Sequence, residues 1–269
     1  MTNTKETRRP AWSGRARRIA RRLSFFGVDP RQIAKNIAGI PFYLRDARSY
    51  ARMAPPAEFQ IHLRDLFPVL NERAQGAGLA SGHYFHQDLW AARKIYGRKP
   101  AAHVDIGSRI DGFVAHVLSF MPVTVVDIRP IESHIAQLHF IRDDATSLAD
   151  FSDNSVDSLS SLHAAEHFGL GRYSDSVDPH ACFRFMASLQ RVLGRGGRLY
   201  FSVPIGRQRV EFNAHRVFSP RTVLSQFTRL SLLSFSYVDD AGHLHENDDP
   251  LQIPDLEYGC GLFEFTKKD

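Results

Sequence analysis

Five short apolar runs, AAHVDIG, PVTVVDI, QLHFI, SVDSLSSL and GRLYFSV, follow one another between residues 101 and 203, with stretches long enough for crossovers between them. This alternation constrains the fold more than any other feature. Parallel strands cannot be joined by a tight hairpin, so each run must be followed by a crossover connection, usually helical. The pattern predicts an α/β fold built on a mostly parallel sheet with helices on both faces. Upstream, HYFHQDLWAARKIYG reads as an amphipathic helix with Phe85, Leu89, Ala92 and Tyr96 along one side. The chain's end breaks the alternation. LLSFSYV and CGLFEFT have only the polar, turn-rich DDAGHLHENDDPLQIPD between them, which predicts an antiparallel pair closing the sheet.

The first fifty-two residues have a different character. They carry thirteen arginines and lysines against three acids, an excess above the net charge of +5 for all 269 residues, so the rest of the chain is acidic on balance. Trp12, Ala16, Ile19, Leu23 and Phe26 recur at helical spacing, while Arg15, Arg17, Arg18, Arg21 and Arg22 fill the other faces. Residues 8–26 could lie in an anionic membrane interface, or form a solvated tail or a helix packed on its own domain. ARRLSFFGV has the twin-arginine look of an export signal, but Asp29, Pro30 and Arg31 break the apolar stretch at once. Met53-Ala-Pro-Pro-Ala57 reads as a linker. The expected organisation is therefore a basic segment and linker over 1–57 and a domain over 58–269, with its core at about 83–266. No apolar run approaches the roughly eighteen residues that cross a bilayer. Cys182 and Cys260 are the only cysteines and stand far apart, so no disulfide framework is expected, and a reducing cytoplasm fits.

In an open parallel sheet, ligands gather at the carboxyl ends of the strands. Asp105-Ile-Gly107-Ser108-Arg109 runs from a strand into a glycine turn and a helix, where the backbone can approach a ligand. Asp127 ends the second run about twenty residues later, where an acid can hold a ribose diol. Asp144 follows the third run, and SLHAAEHFGLGRY follows the fourth.

Over residues 83–266 the chain resembles the class I S-adenosylmethionine-dependent methyltransferases, a Rossmann-like fold. The resemblance implies that the turn at Asp105, Gly107, Ser108 and Arg109 approaches the methionine part of the cofactor. It implies that Asp127 binds the ribose hydroxyls and Asp144 the adenine amino group, with Ser161 and Leu162 beside them. Gly196 and Gly197 match the family's turn before the fifth strand. GSRIDGF, EHFGLGRY and YGCGLFEF resemble, more narrowly, a bacterial and nematode group known only as a domain of unknown function. The first turn departs from the family, which carries two or three alternate glycines; here Arg109 and Asp111 stand in the later places. Arg109 either narrows the cofactor site or pairs with the methionine carboxylate.

His163, Glu166 and His167 also spell H-x-x-E-H, a zinc-peptidase pattern when it lies along a helix. Here it follows a strand, and no metal is expected. Methyl transfer needs alignment and, for a hydroxyl acceptor, a base. His163, Glu166, His167 and His215 are the catalytic candidates, and Arg172, Tyr173, Asp175 and Arg216 the substrate holders. The polar rim favours O-methylation of a polar small molecule or glycan over nucleic acid. The alternative is a catalytically silent binding protein of the same fold, docked to a membrane or assembly.

Overall fold

The computed structural model describes residues 27, 29–73, 75, 76, 78–173 and 175–268. The chain divides into two compact units, residues 1–79 and 80–269. The arginine-rich helix expected over Trp12–Phe26 lies outside the described residues. In the first unit, helix α1 (Pro30–Arg52) is followed by two 3₁₀ turns, Ala57–Phe59 and Leu63–Asp65. The chain then returns to α1. Arg73 bonds Asp46 at 2.6 Å and covers the Phe42 ring, while a β-carbon at Gly39 would lie 2.1 Å from the Leu70 carbonyl oxygen. Ile33, Ile37, Ile40 and Leu44, spaced to share one stripe of α1, remain 43–62% exposed. None of the helices among the described residues is long and apolar enough to cross a membrane.

The second unit opens with α2 (His83–Arg98) and β1 (His103–Ile106). A π-helical turn, Ile110–Val114, runs into α3 (Ala115–Leu118). Strands β2 (Val123–Val126), β3 (Leu138–Ile141) and β4 (Val156–Leu162) come next, then a 3₁₀ turn over Ala165–His167. Helix α4 (Ala181–Val192) leads into β5 (Leu193–Ile205). A small ribbon of β6 (Arg209–Glu211) and β7 (His215–Val217) precedes α5 (Pro220–Gln226). Finally β8 (Leu230–Val238), β9 (Leu244–His245) and β10 (Gly259–Lys267) complete the chain.

The sheet order is β3-β2-β1-β4-β5-β10-β8-β9. The first five strands pair in parallel, and β10 runs antiparallel between β5 and β8, as the sequence pattern predicts. Alternate residues of β5 and β10 feed two cores. Phe201 and Phe263 meet Phe185 and Leu189 of α4 on one face, while Tyr200 and Leu262 meet Trp90 and Ile95 of α2 on the other. Each such side chain contributes roughly 1.5–3 kcal/mol when fully buried, so helices on both faces are required by the sheet itself.

Helix α2 buries only part of the expected stripe, with Ala92 buried and Leu89 half-buried. Phe85 and Tyr96 are 43% and 60% exposed, whereas Gln87, Asp88, Trp90, Ala91, Ala92 and Ile95 are buried. Polar residues on the inward face obscure the apolar period. Gln87 is buried because Ser202 donates to its Oε1 at 2.7 Å. Between β1 and β4 the connection changes direction across the sheet. That reversal opens a crevice beyond the strand ends, the place where α/β sheets bind ligands.

Candidate functional site

A cavity of about 810 Å³ fills this crevice. Its walls come from the turn after β1, the ends of β2 and β3, and the loop after β4. The turn owes its shape to Gly107, whose φ of +71° is left-handed and whose added β-carbon would press on Ala164 at 3.1 Å. Asp105 sits beneath it, fully buried. Ser108 N and Oγ donate to the Asp105 carboxylate at 3.1 and 2.6 Å, Ser160 Oγ donates at 2.5 Å, and Leu162 N donates to Ser108 Oγ at 3.0 Å. This stitches β1 to the end of β4. Burial raises the Asp105 pKa to about 6 against the pull of these donors. Deeper still, His103 bonds Ser158 and Ser160, both at 2.8 Å, and burial pushes its pKa down to about 3.

Asp127 and Asp144 both line the cavity. Asp144 Oδ1 caps its own loop, accepting from Thr146 N and Oγ1 at 2.9 and 2.8 Å. Asp127 is engaged by a neighbour that the sequence reading overlooked. Arg129 donates from N and Nε to Oδ1 at 2.8 and 3.0 Å and from Nη2 to Oδ2 at 2.6 Å, and its guanidinium covers the Tyr173 ring at 4.5 Å. Arg109 also lines the cavity. It pairs with Asp111 at 3.0 Å and lies over Tyr84 at 4.8 Å, a second wall residue without a sequence signal.

The loop after β4 divides the histidines. His163, with φ +53°, is buried. Its Nδ1 meets Glu166 Oε1 at 2.8 Å and its Nε2 meets Cys260 Sγ at 3.2 Å. Burial opposes a charge on this ring, but Cys260 and Glu166 outweigh it, and the His163 pKa is raised. Burial likewise opposes the charge on Glu166, yet His163 holds its pKa low. His167 Nδ1 donates to Ala214 O at 2.7 Å, so its Nε2 presents a lone pair, 3.7 Å from Glu166 Oε1. Burial lowers the His167 pKa despite Glu166, which keeps the ring neutral at pH 7. His83 stacks on His163 with centroids 5.5 Å apart, and burial followed by His163 takes its pKa down to about 4.

Of the residues expected at the site, Gly107, Ser108, Arg109, Asp127, Asp144, Leu162, His163, His167, Tyr173 and Asp175 share the cavity wall. Six others do not. Asp105 and Ser161 are buried in the strands, and Glu166 sits behind the two histidines. Arg216 donates to Phe168 O at 2.6 Å and Arg172 to Ala214 O at 3.0 Å, so both tie the loop in place. His215 lies 5.1 Å from the Tyr258 ring and 3.4 Å from Glu211. Asp175 spends both oxygens on the backbone of Gly169 and Tyr173. Cys260 and His83 carried no sequence signal of a site, because their neighbours are 97 and 80 residues away.

The family described as "Caenorhabditis protein of unknown function, DUF268" matches residues 125–251. No curated protein matches the chain in sequence. The [4+2]-cyclase SpnF shares the fold with a TM-score of 0.50 at 14% identity, over 67% of this chain and 81% of its own. The 1,6-didemethyltoxoflavin-N1-methyltransferase of Burkholderia thailandensis, bound to S-adenosylhomocysteine, gives 0.49 at 16% identity over 68% and 79%. The N-methyltransferase NodS of Bradyrhizobium japonicum WM9, also bound to S-adenosylhomocysteine, gives 0.48 at 13% over 70% and 89%. The strand order and the antiparallel insertion of β10 are those of the Rossmann-like class I methyltransferase fold.

Proposed function

We propose that this chain is an S-adenosylmethionine-dependent methyltransferase acting on a hydroxyl of a polar small molecule or glycan. The observation that carries the reading is one cavity lined by a left-handed glycine turn, two strand-end acids and a histidine whose Nδ1 is held by Ala214 O. These residues fit the cofactor. The Gly107 turn leaves room for close approach, Asp127 would hold the ribose hydroxyls, and Asp144 would meet the adenine. The bound cofactor would supply an activated sulfonium methyl group. His167 would take the acceptor's proton at Nε2, with Nδ1 anchored on Ala214 and Glu166 near enough to favour the imidazolium that forms. Tyr173, edge-on to His167 with centroids 5.5 Å apart, would wall the acceptor side. Two buried free cysteines suit a reducing cytoplasm, with peripheral contact to an anionic membrane through residues 8–26.

The cap that Arg129 places on Asp127 favours a second reading, a binding protein of this fold without turnover. Calorimetric titration with S-adenosylmethionine and S-adenosylhomocysteine separates the two. Charge-assisted hydrogen bonds contribute roughly 1.5–3 kcal/mol each, so Asp127→Ala should weaken binding by about 100-fold. Equal affinity in mutant and wild type would remove Asp127 from the site. No binding of either ligand to wild type would leave the second reading. His167→Ala should leave cofactor affinity intact while cutting turnover of any accepted substrate by about 10²–10⁴.

A further inference from the structure

Behind the cavity wall, side chains from three elements bring ligand atoms close together. His83 begins α2, His163 follows β4 and Cys260 lies at the start of β10. A ring nitrogen of each histidine and Cys260 Sγ all lie within 4.8 Å of one another. We propose that His83, His163 and Cys260 form a zinc-binding site, with the fourth position left to water or a ligand oxygen.

The donor set is the first reason. Two imidazoles and one thiolate are a recurrent zinc combination, and three protein ligands with one open position are the pattern of a reactive rather than a closed site. Spacing is the second. Zn–S of about 2.3 Å and Zn–N of about 2.0–2.1 Å imply a tetrahedral S···N edge of roughly 3.6 Å. Cys260 Sγ and His163 Nε2 stand 3.2 Å apart, close to that edge. An ion would take the place of the proton these atoms share; the thiol's proton leaves as the Zn–S bond forms.

The surroundings supply the third reason. A metal-bound histidine usually has its other nitrogen fixed by a carboxylate or carbonyl. Glu166 Oε1 does this to His163 Nδ1 at 2.8 Å. Glu166 is buried, and among the described residues its ion-pair partners are His163 and His167 alone. Its Oε2 has no hydrogen-bond partner. A divalent cation one imidazole away would offset this buried negative charge. His83 is the adjustable member. Its ring lies 25° from the His163 plane and must turn out of that stack to coordinate, which its half-exposed place at the helix start permits. The site differs from the peptidase pattern in the sequence, because His167 turns its Nδ1 away to Ala214.

The test uses full-length protein, stripped with chelator and reloaded with zinc or cobalt. Wild type should bind about one ion per chain, and the cobalt form should show thiolate-to-cobalt charge-transfer absorption. Cys260→Ala and His83→Ala should each abolish that stoichiometric binding. Glu166→Gln should weaken it by about 10–100-fold. Stripped wild type and His83→Ala should melt alike, and only wild type should gain stability on reloading. Absence of bound ion, or an ion without the thiolate band, would overturn the proposal. So would an ion kept by Cys260→Ala but lost by His245→Ala, which would place it at the half-buried Asp239–His245 pair.

Discussion

The residue that most shapes the crevice floor is Asp105, a buried acid under the Gly107 turn. Its folded pKa, about 6, lies above the ordinary 3.8 because burial outweighs the donors from Ser108 and Ser160. A raised carboxyl pKa means that the folded state holds the proton longer than the unfolded state does. Its contribution is therefore full below about pH 4 and is lost as pH rises through about 6. Asp105→Asn removes this titration at the cost of a donor facing Ser108 N. The stability gap between wild type and Asp105→Asn should shrink by about 3 kcal/mol between pH 3 and pH 7. Urea midpoints at several pH values measure it, and a gap that stays constant or widens would refute the buried-acid account. His103 works in the opposite direction, since its depressed pKa adds stability as pH rises from about 3 to 6.5. Arg129 offers a separate test. Its pair with Asp127 is half exposed on the arginine side and contributes at most about 1 kcal/mol, so Arg129→Ala should tighten cofactor binding by about fivefold. Weaker binding would instead make Arg129 part of the cofactor site.

Elements were more legible than the site. Each apolar run of the sequence became a strand, and the inner strands β1, β2 and β5 are mostly buried on both faces, whereas the edge strand β3 is only half-buried. The ends of those runs also pointed to Asp127, Asp144 and Gly107, whose places on the cavity wall follow from local position. What the sequence hid was set by distant partners. Nothing near Cys260 points to His163, and nothing in IDGFV announces a π-turn. That turn brings Gly112 against α2, where an added β-carbon would lie 2.4 Å from Asp88 Oδ2. Burial keeps the Asp88 pKa above its ordinary value and Gln87 fixes its orientation, so the carboxyl has little freedom to retreat. Gly112→Ala should therefore cost about 1–3 kcal/mol by overpacking. Adding Asp88→Ala should recover much of that loss, giving a coupling well above the roughly 0.5 kcal/mol of independent sites. Strictly additive denaturation energies would mean that the turn does not press on α2.

At the scale of the whole molecule the chain joins two units of unlike chemistry. Both hydrophobic cores and the full sheet lie within residues 80–269, so that unit has what it needs to fold alone. The first fifty-two residues carry more positive charge than the whole chain nets, the remainder being acidic on balance, and α1 exposes Ile33, Ile37, Ile40 and Leu44 among Lys35, Arg48 and Arg52. Basic side chains near an anionic leaflet gain about 1 kcal/mol each, screened by salt, and an apolar stripe can insert beneath them. We expect full-length protein to sediment with phosphatidylserine vesicles at low salt and to be released at high salt. A chain lacking residues 1–52 should stay in solution while binding S-adenosylhomocysteine with unchanged affinity. Sedimentation of neither form at low salt would reduce the basic segment to a tail or a packing helix. Salt-insensitive sedimentation would shift the cause from charge to the isoleucine stripe, which Ile37→Asp would then abolish. A truncated chain that melts without cooperativity would show that the basic segment is part of the second unit, and that the sheet needs it to fold.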